Sequence, residues 1–180
     1  MIAIVPKLII LLILLFLALL SDLRTYKIKN SITYAFMFVG LTANATMKGF
    51  EGIIFSLNGI MLPAVCLLIL YIMKIIGAGD VKLLSAIGAI MGAGFAFHAS
   101  VFSFLCGGVI ASVIMLRRHN GAERFRYLIL YIKNCLLSGL LLQYADFKDK
   151  QAGGRFHFSI AVAAGTVLVA VARGLDLAIL

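Results

Sequence analysis

Long apolar runs, separated by short polar segments, are the main pattern along the chain. The runs cover residues 8–20, 32–47, 53–73, 83–97, 99–116 and 158–171. A helix needs about 20 mostly apolar residues to cross the hydrocarbon core of a bilayer, and helices and closed barrels are the structures that satisfy their backbone polar groups there. The pattern therefore predicts an all-α integral membrane protein with about six transmembrane helices. Little more than His98 separates the fourth run from the fifth, which predicts a tight hairpin at that residue.

The first run has a second interpretation, as a cleaved signal peptide, because it has a single early lysine and a short apolar core. Two observations favour a retained span. Ala18-Leu19-Leu20 is a poor small-x-small cleavage site, and residues 2–5 extend the apolar core toward spanning length.

The composition changes between the fifth and the sixth run. Residues 127–144 are largely apolar but carry Lys133 and Asn134 at their centre, a pair that is costly to bury in hydrocarbon. A seventh span is one interpretation; an amphipathic helix lying in the membrane interface, with the lysine reaching toward water, fits the composition better. Since the chain has no repeats or long linkers, we predict one membrane-embedded domain over 1–180, with 117–157 as its loop and interfacial segment.

The overall composition supports a membrane protein. The chain is 63% hydrophobic and 13% charged, with a mean hydropathy of +1.12, whereas a soluble domain carries roughly 25% charged residues. Soluble, disordered and fibrous classes are thereby excluded. The three cysteines form no C-x-x-C pair, which argues against a zinc module and a disulfide framework. No metal or other cofactor is expected.

Basic residues are distributed unequally between the two predicted sides of the membrane. With six spans, the loops at 22–31, 74–82 and 117–157 share one side and carry thirteen of the sixteen lysines and arginines. The positive-inside rule places that side in the cytoplasm and both termini outside, in a multi-pass membrane protein. The net charge of +9 is then mainly a topology signal, with membrane lipids as secondary partners and no nucleic acid expected.

Two acidic residues lie at predicted ends of spans. Asp22 ends the first run, and Asp80 precedes the fourth within Gly77-Ala78-Gly79-Asp80. Two crossings separate them, so both emerge on the same side of the membrane. Two neighbouring carboxylates in a partly dehydrated site do not both ionise readily; such a pair can deprotonate a water and protonate a leaving amine. The glycines allow close approach of a partner helix or an extended substrate.

The same residues have other interpretations that the spacing leaves open. Asp22 could simply end a span, and Asp80 could cap the fourth helix, where a carboxylate is favourable. Both could instead belong to a proton or ion pathway.

Two stretches resemble a known family. Residues 21–30, Ser-Asp-Leu-Arg-Thr-Tyr-Lys-Ile-Lys-Asn, resemble the first active-site stretch of the prepilin peptidases (type IV leader peptidases), an Asp-x-Arg-x-x-x-Ile-x-Asn pattern. Residues 77–83 are similar to the second, a Gly-x-Gly-Asp motif followed by Val-Lys-Leu. The two occur in the family's order, and the resemblance covers roughly residues 8–172.

The resemblance implies an aspartyl endopeptidase of the bacterial inner membrane that removes the short basic leader of type IV pilin-like precursors on the cytoplasmic side. Asp22 and Asp80 match the catalytic pair, which acts without a metal. The matching motif residues with a supporting role are Arg24, Asn30, Gly77, Gly79 and Lys82.

The length of the first loop indicates a subtype. Larger family members also methylate the new N-terminus, and they carry a cytoplasmic domain with paired cysteines between the first two spans. Here only about nine residues occupy that position. The resemblance is therefore to the short, peptidase-only form found with tight-adherence (Flp) pili, and no methyltransferase activity is expected.

The chain departs from the family pattern at two places. Lys29 stands where many members have proline before the asparagine, and residues 156–159, Phe-His-Phe-Ser, stand where relatives often have a proline-containing motif. Among individual side chains, Asn30 is predicted to cap the second span, with Ser31 as competitor. His98, in the predicted outer hairpin, is interpreted as structural, and His119 and His157, on the predicted cytoplasmic side, lack companions for a metal site.

Two supporting residues keep alternative roles. Arg24 either contributes only to topology, or lowers the pKa of an acid or binds a lipid phosphate. Lys82 either stays near Asp80 and keeps it ionised, or reaches past it toward water.

Two other functions would use the same acids. A proton-coupled transporter subunit would want acids at mid-depth and repeated halves, and the sequence has neither. A non-catalytic membrane protein of pilus assembly would tolerate the loss of either aspartate. The oligomeric state does not follow from the sequence.

Overall fold

A computed structural model describes residues 4–117 and 157–179 of the chain. The elements are α1 (Ile4–Thr25), α2 (Asn30–Lys48), α3 (Phe50–Cys66), α4 (Leu68–Ile72), α5 (Ala78–Met91), α6 (Ala93–Arg117) and α7 (Phe158–Ile179). The described ranges contain no strand, so the all-α prediction holds for them. The predicted interfacial helix at 127–144 lies outside these residues.

Helix α5 occupies the centre of the bundle. Its residues 83–90 are all buried, and it packs against α1, α2, α3, α6 and α7. A helix that is apolar all round needs neighbours on every side, and here other helices supply them. The first turn of α5, which carries an acid, therefore belongs to the most enclosed helix of the described fold.

Small residues bring α3 and α5 into backbone contact. A Cβ added to Gly59 would overlap the carbonyl group of Gly88, and a Cβ on Gly88 would overlap that of Gly59. Helices in membranes commonly use small residues for such close packing. Gly59 and Gly88 are therefore the positions at which the backbones of α3 and α5 touch.

The hairpin between α5 and α6 lies at Gly92, so the prediction of a turn at His98 is wrong. Gly92 has φ +88°, a left-handed conformation that favours glycine, and the Phe55 ring fills the space that its side chain would need. No polar residue marks this turn in the sequence. His98 instead lies within α6, with Nδ1 2.6 Å from the carbonyl oxygen of Gly94.

The third predicted run is also divided, at Leu67 between α3 and α4. Pro63, within the last turn of α3, has no N–H to donate to the preceding turn, which weakens the helix there. The Leu67 N–H still donates to the Pro63 carbonyl at 2.9 Å, so the interruption is short.

Buried amide and hydroxyl groups satisfy the C-terminal end of α5. Asn44 Nδ2 donates to Ser56 Oγ and to the Ala89 carbonyl, each at 2.9 Å, and Ser56 Oγ donates to the same carbonyl at 2.9 Å. The last carbonyls of a helix have no partner within the helix. Side chains of α2 and α3 therefore supply the hydrogen-bond donors that this end of α5 lacks.

The outer surface carries many large apolar side chains. Phe16 is 61% exposed, Phe38 66% and Leu105 59%, and contiguous surfaces of this kind mark contact with protein or membrane. Within the described residues, Val5–Thr25 and Ala93–Ile114 are long and apolar enough to cross a membrane, and Phe50–Cys66 and Phe158–Gly174 are shorter apolar helices. This distribution is typical of a membrane protein.

Candidate active site

The first acid, Asp22, lies in the last turn of α1, which a folded loop secures. The Ser21 hydroxyl donates to the Lys27 carbonyl at 2.9 Å, and the Thr25 hydroxyl donates to the Ser21 and Lys27 carbonyls at 2.8 and 2.9 Å. Tyr26 adopts a positive φ of 52°, which ends the helix. These bonds bring the α1–α2 loop back over the end of α1 and keep Asp22 8% exposed.

The second acid, Asp80, lies in the first turn of α5, three residues after the N-cap Gly77. The Gly77 N–H hydrogen-bonds to its carboxylate, as the third residue of a capping box does. A Cβ on Gly77 would lie 3.1 Å from Asp80 Oδ2. The capping interpretation of this acid is therefore correct as local structure, and it fixes where the carboxylate points.

The other motif glycine joins α5 to the first motif. A Cβ on Gly79 would lie 3.2 Å from the Ile28 Cβ, and Ile28 is a buried residue of the α1–α2 loop. The absence of a side chain at Gly79 lets the first turn of α5 pack directly against this loop. The two motif stretches consequently meet at one end of the bundle.

The two acids interact although 58 positions separate them in the sequence. Asp80 precedes the apolar part of α5, which starts at Leu83, and so lies outside the predicted span. The pKa of Asp80 is raised to about 6: burial contributes most, the negative charge of Asp22 also raises it, and the Gly77 hydrogen bond lowers it. The expected convergence of the acids at one end is what the structure shows.

The start of α7 completes the surroundings of Asp22. The Ser159 hydroxyl donates to Asp22 Oδ2 at 2.6 Å. His157 Nδ1 lies 3.5 Å from the same oxygen without forming a hydrogen bond. The His157 ring stacks on Tyr26 with centroids 4.4 Å apart. From the sequence, Ser159 was not identified as a site residue, and His157 was considered only as a metal ligand without companions.

The supporting motif residues differ in their contacts. Lys82 Nζ donates to Asn30 Oδ1 at 3.0 Å and lies 5.0 Å from the centroid of the Tyr34 ring. Lys82 is therefore directed at α2. The N-cap of α2 is Lys29, so the prediction that Asn30 caps this helix is wrong; its side chain instead accepts from Lys82. Arg24 is exposed at the end of α1.

The chemistry available at this end of the bundle is that of two carboxylates in unlike environments. One accepts a hydroxyl hydrogen bond, and the other has a raised pKa. Environments that separate the two carboxyls in this way allow one to act as a base and the other as an acid. Within 4–117 and 157–179 no group of three or more His, Cys, Asp or Glu is placed to hold a metal ion. The expectation of metal-free chemistry stays a prediction.

Comparison with known proteins gives one match. Residues 9–112, more than half of the chain, match the sequence model described as the Type IV leader peptidase family. The match includes both acids and both motif stretches, and it ends before α7. No curated protein and no solved structure matches the chain.

Proposed function

The chain belongs to the type IV leader peptidase family, and from this we propose that it cleaves the short basic leader from type IV pilin-like precursors with Asp22 and Asp80. The family makes it a hydrolase and a membrane protein. One observation carries the residue assignment: the acids of the two motif stretches lie at the same end of the bundle and interact electrostatically.

The proposed reaction uses one carboxylate as base and the other as acid. As water attacks the scissile carbonyl carbon, one carboxylate accepts a proton from it. The other carboxyl, which is protonated from the start, then gives its proton to the leaving amine, and the C–N bond breaks. The pair ends with its proton moved from one acid to the other, and proton exchange with water restores the starting state.

The charges at the two ends of the bundle support a cytoplasmic site in a six-span, single-domain protein. Lys7 and Lys48, two of the three predicted outer basic residues, both lie over the Phe55 ring, at 5.2 and 5.3 Å from its centroid. That ring contacts Gly92, at the far end of α5 from Asp80. The basic residues of the loops at 22–31 and 74–82 lie at the end that holds the acids. Under the positive-inside rule, this distribution supports a cytoplasmic location for the acids in a bacterial cell.

The short loop between α1 and α2 supports the subtype. It leaves no room for the paired-cysteine domain of the methylating members, so we assign the chain to the peptidase-only form associated with Flp pili. Its partners are then Flp-type precursors, whose apolar helices share the bilayer with it, and membrane lipids.

The test is co-expression of the full chain with pilin-like precursors from the same genome, followed by mass measurement of the mature pilin N-terminus. We expect loss of the leader without added methyl groups. Asp22→Asn and Asp80→Asn are expected to abolish processing, while Glu51→Gln, which removes an exposed acid of α3, retains it. Processing that survives Asp80→Asn would exclude the paired-acid mechanism and favour an assembly or transporter role.

A further inference from the structure

The first turn of α7 places a hydroxyl on one of the two acids. Ser159 is 2% exposed and Asp22 is 8% exposed, and their 2.6 Å O–H···O contact is short. Hydrogen bonds with an ionised partner are shorter and stronger than neutral ones, and water does not compete well for buried groups. This contact joins α1 to α7 at the site itself.

We propose that Ser159 is a positioning residue for the catalytic pair: its hydroxyl holds Asp22 Oδ2 as a hydrogen-bond acceptor, which makes Asp22 the base and leaves Asp80 as the acid. This inference rests on the proposed function, because it assigns roles within the same pair. Residue 159 lies beyond the matched range 9–112, so the assignment comes from this chain's own contacts.

The place of Ser159 in its helix explains why its hydroxyl reaches the acid. Ser100, Ser103 and Ser112 of α6 each donate to the carbonyl four residues earlier, at 2.7, 2.6 and 2.8 Å. Ser159 is the second residue of α7 and has no preceding helical turn to which it could donate. A serine inside a helix is usually occupied by its own backbone, whereas this one is available to Asp22.

The direction of the hydrogen bond separates the two acids. An oxygen that accepts the Ser159 O–H uses a lone pair for it and is not the donor in that contact. Among the described residues, Ser159 and His157 both contact Oδ2 of Asp22, and we assign Oδ1 as the oxygen that accepts a proton from water. Asp80, whose pKa is raised to about 6 chiefly by burial, is the better carrier of the second proton.

His157 and Tyr26 cover this arrangement. The stacked rings, inclined by 20°, join the end of α1 to the residue before α7. His157 Nδ1 is buried, forms no hydrogen bond and lies 3.5 Å from Asp22 Oδ2, so the ring packs directly beside this carboxylate. Ser159 and Asp22 are both buried beside these rings.

The kinetic test compares two buried serines in the purified full chain, with a pilin-like precursor as substrate. Ser159→Ala is expected to lower kcat by about tenfold to a hundredfold, the range for losing a hydrogen bond to a charged group, with KM unchanged. Ser159→Thr keeps the hydroxyl and should restore kcat. Ser103→Ala removes a buried hydroxyl that does not contact an acid and should leave kcat unchanged.

A substrate-free measurement separates this inference from the proposed function. The infrared carboxylate band of Asp22, identified by its loss in Asp22→Asn, should shift in Ser159→Ala and stay in place in Ser103→Ala. An unshifted band, or a Ser159→Ala protein with wild-type kcat, overturns the positioning role even where Asp22→Asn is inactive. A wild-type protein that cleaves no precursor would overturn the proposed function, and the band would still report on the hydrogen bond.

Discussion

Lys82 Nζ donates to Asn30 Oδ1 at 3.0 Å, a contact that joins the two motif stretches through their outer residues. Lys82 follows Asp80 by two positions, and Asn30 begins α2 eight positions after Asp22. The bond therefore links the element that carries one acid to the loop that follows the other. We predict that this bond helps to align the two motif stretches.

A double-mutant cycle tests this alignment. Because the contact is exposed, Lys82→Met and Asn30→Ala are each expected to destabilise the protein mildly, with a coupling free energy below about 1 kcal/mol. The free energy of unfolding of the single and double variants gives the coupling. Lys82→Met combined with Asn58→Ala, an exposed asparagine of α3, should be additive. Additivity in the Asn30 cycle as well would remove the proposed role of the contact.

The two aspartates are expected to behave as one catalytic unit. Asp22→Asn and Asp80→Asn each keep the side-chain size but remove the ability to exchange a proton. Members of such a unit are strongly non-additive, so the double variant should cleave hardly less than either single one. Initial rates of precursor cleavage give the comparison. Losses that multiply in the double variant would mean that the acids act independently.

The pH dependence of cleavage follows from the raised pKa of Asp80. A carboxyl with a pKa of about 6 is protonated below that pH and ionised above it. If its proton goes to the leaving amine, kcat/KM of the free enzyme decreases as pH rises through about 6. The neighbouring titratable groups are Asp22 and, beside it, His157, so the measured value belongs to the coupled site. A kcat/KM that rises through this range would contradict the acid role of Asp80.

Alanine at each of the two motif glycines is predicted to have a different effect, because the added Cβ meets a different neighbour. Gly77 has φ −74° and ψ 147°, which alanine adopts readily, so Gly77→Ala acts only through its Cβ, 3.1 Å from Asp80 Oδ2. Displacing a reacting group by a fraction of an ångström should lower kcat by about tenfold or more. Gly79→Ala presses on Ile28 instead and should affect stability as well.

Gly108→Ala is the matched control for these variants, because nothing lies within 4 Å of its added Cβ. Cleavage rate and melting temperature of the three variants give the comparison. A Gly77→Ala protein with wild-type kcat would show that the carboxylate does not need its present position.

Local sequence features predicted the acid-bearing end of the fold. The two motif stretches lie at ends of apolar runs, and an even number of crossings between them is enough to place Asp22 and Asp80 on the same side. The interpretation of Asp80 as a helix cap was also available, because an acid in a first turn after glycine is a local signal. These features depend on neighbours in the sequence, which a periodicity analysis can read.

The remaining contacts depend on packing between distant segments. Gly92 was missed as the turn because glycine within an apolar run looks the same in a helix and in a bend until its φ is known. Ser159 was missed because its partner lies 137 positions away, in a stretch that departs from the family pattern. A polar pair, His157 and Ser159, at the start of an otherwise apolar helix was the available signal.

The buried hydrogen bonds at the far end of α5 determine the rotational register of that helix. Asn44 and Ser56 both donate to the Ala89 carbonyl, nine residues after Asp80 and so about 13 Å along the axis. A slip of one residue would turn the helix by about 100° and point Asp80 away from α1. Asn44 and Ser56 touch neither acid, yet they fix the direction in which Asp80 faces.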